Sequence, residues 1–302
     1  MVDVVIIGAG PAGLTAAIYA LRAGLNTIIC EKNIYGGQTS IIEYVENYPG
    51  FKKISGVDFS TSLYEQVTNL GGKFVFSDVV GLDLDGDEKC VHTSSGEEIR
   101  SKTVIIANGL KRRFLGCEGE NEFHGKGVSY CATCDGAFFK DKSVIIVGGG
   151  NTAIEDALYL SNICKDVKIV VRKDKCRAEK ILVDSAEKKE NIRFLFKSNI
   201  IKICGDKTVS SVIISTDGKE SKLNTDAVFI AIGYEPDNKI YEGKIQMNEM
   251  GYFESDETCK TNIPGVYVAG DCRVKPLRQI VTAAADGAVC GNAAATYVNL
   301  KK

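Results

Sequence analysis

The sequence predicts an α/β protein built from two parallel-sheet domains, the second inserted into the first. Three observations predict it. A glycine-rich turn, Gly8-Ala9-Gly10-Pro11-Ala12-Gly13, follows an apolar run at 2–7 broken only by Asp3. A second turn, Gly148-Gly149-Gly150-Asn151-Thr152-Ala153, follows a second apolar run at 143–147. The stretch 225–233 echoes 102–109, as though each domain closed on the same kind of strand. Short apolar runs bounded by turns suit strands buried on both faces of a parallel sheet. A length of 302 residues suits one large domain or two ordinary ones.

Composition narrows the function classes. Apolar residues make up 44% and charged residues 25%, as in ordinary globular proteins. A net charge of −2 gives no electrostatic footprint for nucleic acid or an anionic membrane. No apolar run is long enough for a membrane span. The chain goes from Met1-Val2-Asp3 straight into a strand without a basic leader, so no secretory signal is expected. Eleven cysteines at irregular spacing fit a reducing cytoplasm better than a secreted disulfide scaffold. Most of them, such as Cys164, Cys204 and Cys290, are expected to be small core or surface residues.

In chain order, the strand at 2–7 and the first glycine turn lead to a helix at 14–23, a closing Gly24 and a strand at 26–30 that ends in Glu31. This is a complete βαβ unit. Its first glycine allows the tight turn, the second lets backbone approach a pyrophosphate, and the third lets helix and strand pack closely. The helix N-terminus presents free N–H groups to the phosphates. Glu31 lies 23 residues after Gly8, where an acid accepts from an adenosine ribose hydroxyl. The competing reading is an ordinary tight turn. Gly36-Gly37-Gln38 and Tyr44-Val45-Glu46-Asn47-Tyr48-Pro49-Gly50 suit either backbone wrapped around a ligand or a surface loop. A helix is expected at 56–70, a β-meander from 73 to 99, and a buried strand at 104–107 before Asn108-Gly109. The two histidines, His92 and His124, belong to no cluster and are expected to be structural or solvated.

Beyond the second glycine turn come a helix at 154–162, a strand at 167–171, and further meander strands at 192–214. Here the strand ends not in an acid but at Arg172-Lys173, with Arg177 one helical turn on. An acid repels a ribose 2′-phosphate, whereas guanidinium and ammonium groups bind it. The first site therefore suits a dinucleotide with a free ribose, and the second suits NADPH. The alternative is that these bases are a solvated helix start. A last buried strand at 263–271 ends in Gly270-Asp271, with a helix from about Gln279. The domains are expected to join by short crossings near 112–118 and 240–246.

Between the turns lies Cys131-Ala132-Thr133-Cys134-Asp135-Gly136. Zinc needs four ligands, and no second CxxC or paired histidines lie at suitable spacing. Haem attachment needs a following histidine, and Asp135 stands there instead. A reversible disulfide fits best, since the motif lowers one thiol's pKa and Asp135 can exchange protons with a departing thiolate.

This ordered set of motifs resembles the bacterial low-molecular-weight thioredoxin reductases from end to end. The resemblance implies two Rossmann-like, three-layer ββα domains: a discontinuous FAD domain at 1–112 and 245–302, and an inserted NADPH domain at 113–244 that carries the CxxC. It implies a cytoplasmic homodimer passing electrons from NADPH through FAD and the Cys131–Cys134 disulfide to thioredoxin. Cys134 would face the flavin and form the charge-transfer thiolate, Cys131 would attack thioredoxin's disulfide, and Asp135 would be the general acid. FAD would be held by Gly8, Gly10, Pro11, Ala12, Gly13, Glu31, Gly37, Gln38, Asn47 and Val79 from the first segment. Ala107, Gly109, Gly270, Asp271, Arg278 and Gln279 would complete that site. NADPH would be held by Gly148, Gly150, Asn151, Thr152, Ala153, Arg172, Lys173, Arg177, Ile232 and Gly233.

The chain departs from the family pattern in two places. Ala107-Asn108-Gly109 replaces Ala-Thr-Gly, and Val171-Arg172-Lys173 replaces His-Arg-Arg. Lysine keeps the charge but loses the bidentate fork, which weakens the preference for NADPH over NADH. The rivals are the same core fed by NADH or ferredoxin, the same core serving a peroxiredoxin-like partner, and a non-catalytic redox sensor. The order of motifs has a mechanical consequence. One inserted domain carries both the nicotinamide site and the CxxC, yet both must reach one flavin within roughly 3–3.5 Å for reaction, and the dithiol must also reach a bulky protein. Rotation of that domain on its two crossings is expected. Cross-linking the two domains should stop turnover while leaving flavin bound; undiminished turnover in the cross-linked protein contradicts the rotation.

Overall fold

The computed structural model describes residues 1–42 and 44–301. The chain divides into two units, Met1–Lys111 with Glu235–Lys302, and Arg112–Tyr234. The final residue of the expected first domain, Lys302, lies outside the described residues.

The first unit begins with β1 (Val2–Ile7), α1 (Pro11–Arg22), β2 (Thr27–Cys30), α2 (Gly56–Asn69), β3 (Lys73–Val75), β4 (Val79–Asp83), β5 (Lys89–Thr93), β6 (Glu98–Ile106) and β7 (Leu110–Arg112), which leads out of it. Helix α1 starts three residues earlier than the sequence suggested. Pro11 occupies its first turn, where a fixed φ favours the helix and a missing N–H costs nothing. The sheet runs β3-β2-β1-β6-β5-β4. Strand β1 is parallel to β2 and β6, and β3 is parallel to β2. The stretch at 73–76 therefore does not belong to a meander. Helix α2 carries the chain across before β3, which returns it parallel to β2. Only β4, β5 and the first half of β6 form the antiparallel meander.

Alternation along β1 builds three layers. Val4 and Ile6 face α1 and the C-terminal helix, together with Leu14, Ala16 and Ala294. Val5 and Ile7 face the meander, together with Leu82 and Val91.

The second unit repeats this plan. It holds β8 (Val128–Ser129), α3 (Ala132–Asp135), β9 (Ser143–Val147), α4 (Asn151–Ser161), β10 (Asp166–Val170), α5 (Lys180–Glu187), β11 (Ile192–Leu195), β12 (Ser198–Gly205), β13 (Val209–Thr216), β14 (Lys219–Asn224) and β15 (Ala227–Ile230). The sheet order is β11-β10-β9-β15-β8, all parallel. Strands β12-β13-β14 form the separate antiparallel layer. As with β3, the segment expected to open a meander at 192 is a parallel strand delivered by a helix, α5. Val144 and Ile146 face α4, while Ile145 and Val147 face the antiparallel layer.

The chain returns through β16 (Tyr234–Pro236), then β17 (Val266–Val268) parallel to β6, and α6 (Ile280–Leu300). The return falls between Tyr234 and Glu235, ahead of the expected 240–246. The intervening residues belong to the first unit's core. Tyr241 is buried with Ile245 and Phe253, and the Asn238 amide donates to the Gly251 and Cys272 carbonyls at 2.9 and 3.2 Å. Helix α6 packs hard on α1. A Cβ at Gly287 would stand 2.2 Å from the Ala12 oxygen, and one at Gly291 2.6 Å from that of Ala16. Among the described residues no helix is long and apolar enough to cross a membrane.

Candidate redox and dinucleotide sites

In the first unit, four loops leave the carboxyl ends of parallel strands: the glycine turn after β1, Glu31 after β2, residues 107–109 after β6, and Gly270-Asp271 after β17. Open α/β sheets bind ligands at that end. Gly8 has φ +103°, and a Cβ there would lie 2.4 Å from the Ala107 oxygen. Gly13 admits no Cβ either, with the Gly8 oxygen 1.8 Å away. Gly10 is different: nothing in the protein lies within 4 Å of its Cβ direction, and as N-cap of α1 it supplies no side-chain cap. The space beside it and the uncapped helix end fit an anion. Glu31 is stitched to the turn, its two carboxylate oxygens accepting from the Ala9 and Asn33 amides at 2.8 and 2.9 Å. A cavity of about 150 Å³ brings Gly8, Glu31 and Val79 together with Asn108 and Asp237. Of these, Asp237 was not foreseen. The Asn108 amide donates to the Asp237 carbonyl and to Asn238 Oδ1, both at 3.0 Å, so the departure from threonine ties the β6 loop to the returning chain.

Asn47, Asp271, Arg278 and Gln279 meet at the start of α6. Gln279 caps that helix and accepts from Asn47 Nδ2 at 3.0 Å. Arg278 lies 4.3 Å over the Tyr252 ring and donates through Nε to the Asp271 carbonyl at 3.3 Å. Gln38 Nε2 donates to the Leu110 carbonyl at 3.3 Å. Gly109 and Gly270 both take positive φ, at +62° and +81°. Asp271 Oδ1 is buried without a hydrogen-bond partner. A buried acceptor left over at the end of β17 fits a ligand that donates a hydrogen bond.

What holds this loop was not legible in the sequence. Asp286 on α6 accepts from the Gly270 amide at 2.9 Å, from Arg273 at 2.9 and 2.7 Å, and from Lys275 at 2.7 Å. Burial raises the Asp286 carboxyl, but these donors outweigh it and hold the group below the usual carboxylate range. Removing one partner of such a buried pair costs about 3–5 kcal/mol.

In the second unit the steric logic recurs. A Cβ at Gly148 would lie 2.3 Å from the Ala231 oxygen, and Gly150 again has open space and no side-chain cap. The chain at 177–179 folds back on this turn. Arg177 and Ala178 amides donate to the Gly149 carbonyl at 2.6 and 3.1 Å, and Asn151 and Glu179 bond reciprocally. Arg177 is thereby fixed near the helix end that holds Thr152 and Ala153. Arg172, Lys173 and Arg177 are exposed. Val171, where the family has histidine, is buried against Gly149. Ile232 and Gly233 follow β15 at the same edge of the sheet.

Cys131 and Cys134 form a disulfide with a Cα separation of 5.3 Å. The pair follows β8, a sheet-edge strand, so disulfide and glycine turn sit at the carboxyl edge of one sheet. Cys131 caps the short α3, its Sγ accepting from the Cys134 amide at 3.2 Å. Cys134 is exposed and Cys131 half-buried. Asp135 accepts from Ser129 Oγ at 2.6 Å. The other cysteines are free thiols. Burial pushes Cys30 and Cys272 up to about 12, which makes them inert. His92 pairs with Asp83 at 2.8 Å and His124 packs on Tyr130, both structural roles.

Residues 2–287 match the model of the pyridine nucleotide-disulphide oxidoreductases. The chain belongs to that family. It is 44% identical to a thioredoxin reductase of Listeria innocua, covering 98% of this chain and 93% of that one, and 42% identical to one of Bacillus subtilis, covering 98% and 94%. It superposes on Lactococcus lactis thioredoxin reductase with a TM-score of 0.88 at 38% identity, covering 99% and 100%. The protein is a disulfide oxidoreductase of the thioredoxin reductase kind, and its family implies a flavin and a pyridine nucleotide.

Asp271 gives a test. Burial raises its carboxyl above the ordinary 3.8, against the pull of Lys275 and Arg278. The folded state thus holds that proton more tightly than the unfolded chain. Its contribution is favourable below 3.8 and is lost as pH rises through the raised value. At pH 7 the buried charge costs stability unless a ligand donor meets it. Asp271→Asn is expected to raise the melting temperature of the flavin-free protein at pH 7 and to weaken flavin retention about tenfold or more, the loss of one charge-assisted hydrogen bond. Unaltered flavin affinity would show that Oδ1 is not held for the flavin.

Proposed function

We propose that this enzyme carries electrons from NADPH through FAD and the Cys131–Cys134 disulfide to oxidised thioredoxin, acting as a cytoplasmic homodimer. The observation that carries the reading is the placement of the disulfide and the second glycine turn at one sheet edge, with the exposed cations Arg172, Lys173 and Arg177 beside the turn. In this reading the first unit holds FAD and the second holds NADPH. FAD, once bound, supplies two-electron chemistry between nicotinamide and disulfide.

The chain's own residues divide the work. Gly8, Gly10, Gly13 and the α1 N-terminus seat the FAD pyrophosphate, and Glu31 takes a ribose hydroxyl. Asp271, Asn47, Arg278 and Gln279 take the ribityl and ring end. Gly148, Gly150 and the α4 N-terminus seat the second pyrophosphate, while Arg172, Lys173 and Arg177 take the 2′-phosphate. Cys131 is the sulfur that attacks thioredoxin, Cys134 the sulfur that faces the flavin, and Asp135 exchanges protons with them. The open space at Gly150 and the uncapped α4 favour a nucleotide donor over ferredoxin. Lys173 and Val171 favour a secondary use of NADH, since neither supplies a bidentate fork to the phosphate.

Steady-state reduction of oxidised thioredoxin tests this. NADPH should support turnover at a kcat/KM well above that with NADH. Arg177→Ala should lower kcat/KM for NADPH about tenfold or more and leave NADH unchanged, as for loss of a charged phosphate contact. No turnover with either nucleotide would remove the reading, and equal loss with both would remove Arg177 from the 2′-phosphate site.

A further inference from the structure

The hydroxyl of Ser129 sits at the junction of the sheet and the redox motif. Strand β8 has two residues, and its second, Ser129, pairs with Phe229 of β15. The side chain is buried, 4% exposed. Its Oγ accepts from the Cys131 amide at 3.1 Å and donates to Asp135 Oδ2 at 2.6 Å. The Cys131 carbonyl lies 3.3 Å from the same hydroxyl. One proton cannot serve two acceptors equally. The shorter bond to the carboxylate takes it, because charge-assisted bonds are the stronger ones. Of the other hydroxyls near the motif, Tyr130 donates to Glu120 at 2.8 Å, and Thr133 lies 3.5 Å from Cys131 Sγ and is exposed. Ser129 alone, among the described residues, joins the Cys131 backbone to the Asp135 carboxylate through one atom.

We propose that Ser129 is a positioning residue for disulfide exchange. It holds Asp135 Oδ2 so that Oδ1 is the oxygen that moves the proton, and it fixes the Cys131 amide to the sheet edge. The inference rests on the reading above in which Asp135 is the acid. In exchange with an oxidised dithiol protein, the Cys131 thiol gives its proton to Asp135 and its sulfur attacks one acceptor sulfur. The acceptor's S–S bond breaks, and the departing thiolate takes that proton back from Asp135. Cys134 then attacks Cys131 Sγ, re-forming the bond between Cys131 and Cys134. The second acceptor thiolate leaves and receives the Cys134 proton. Protons and electrons balance: two of each pass from the enzyme dithiol to the acceptor. Asp135 must reach both sulfurs in turn without swinging to solvent, and a carboxylate pinned at one oxygen meets that need.

The test uses full-length, flavin-loaded protein, reduced with dithiothreitol, desalted without oxygen, and mixed with oxidised thioredoxin in a single turnover. Ser129→Ala should slow exchange about 10- to 100-fold, the usual effect of a misplaced reacting group. Ser129→Thr, which keeps the hydroxyl and suits a strand, should restore it to within about threefold of the parent. Added to Asp135→Asn, Ser129→Ala should cost less than about twofold more, because residues acting as one unit are not additive. Flavin content and visible spectrum should match the parent in all variants. Exchange at the parent rate in Ser129→Ala, failure of threonine to rescue, or multiplicative loss in the double variant would each overturn the proposal. Should the parent itself not react with thioredoxin, the functional reading falls, and alkylation of reduced Cys131 by iodoacetamide still decides Ser129. Its rate profile against pH should move in Ser129→Ala, and coincident profiles would overturn the role.

Discussion

Everything in this protein hangs on one close approach made twice. At Gly8 and again at Gly148, backbone passes so near the end of a neighbouring strand that a methyl group would sit 2.4 Å or 2.3 Å from a carbonyl oxygen. Only glycine permits this, and both residues take the positive φ it tolerates. The approach turns the chain sharply from strand to helix and leaves the helix N-terminus uncapped at the carboxyl edge of a parallel sheet. That geometry and the backbone dipoles suit a diphosphate.

The two units differ in what surrounds that common turn, and the differences set their chemistry. The first carries an acid, Glu31, bonded to the turn itself, and an aspartate with an orphaned oxygen, Asp271. The second carries exposed bases and a cysteine pair at the end of an edge strand. The loop holding Asp271 is braced from behind by Asp286, Arg273 and Lys275, so a costly buried charge cluster fixes the Gly270-Asp271 turn. Ser129 does the same service for Asp135 on a smaller scale. In both cases a buried polar atom spends its hydrogen bonds on orientation.

The legible and illegible parts of the sequence divide along physical lines. Both glycine turns, Glu31, the CxxC and the repeated construction were visible because their constraints are local in sequence: a steric demand, a fixed spacing, a motif. The parallel pairing of β3 and β11 was not, since a short strand after a helix has the same composition as one in a meander. The return crossing falls ahead of the expected 240–246 because nothing in the local sequence near Tyr241 says that its ring fills a core built from distant strands. Asp286, Asn238 and Ser129 escaped for the same reason. Each acts through a partner that only the fold supplies, and their types and spacing match no motif.

The central claim is that one chain links a nicotinamide, a flavin and a disulfide in series. Anaerobic titration of the purified, flavin-loaded protein tests it most directly, following the visible flavin band during addition of NADPH and then of oxidised thioredoxin. The account requires bleaching by NADPH and recovery of the band with thioredoxin. A band that neither NADPH nor NADH bleaches would contradict it and leave the second glycine turn as structure alone.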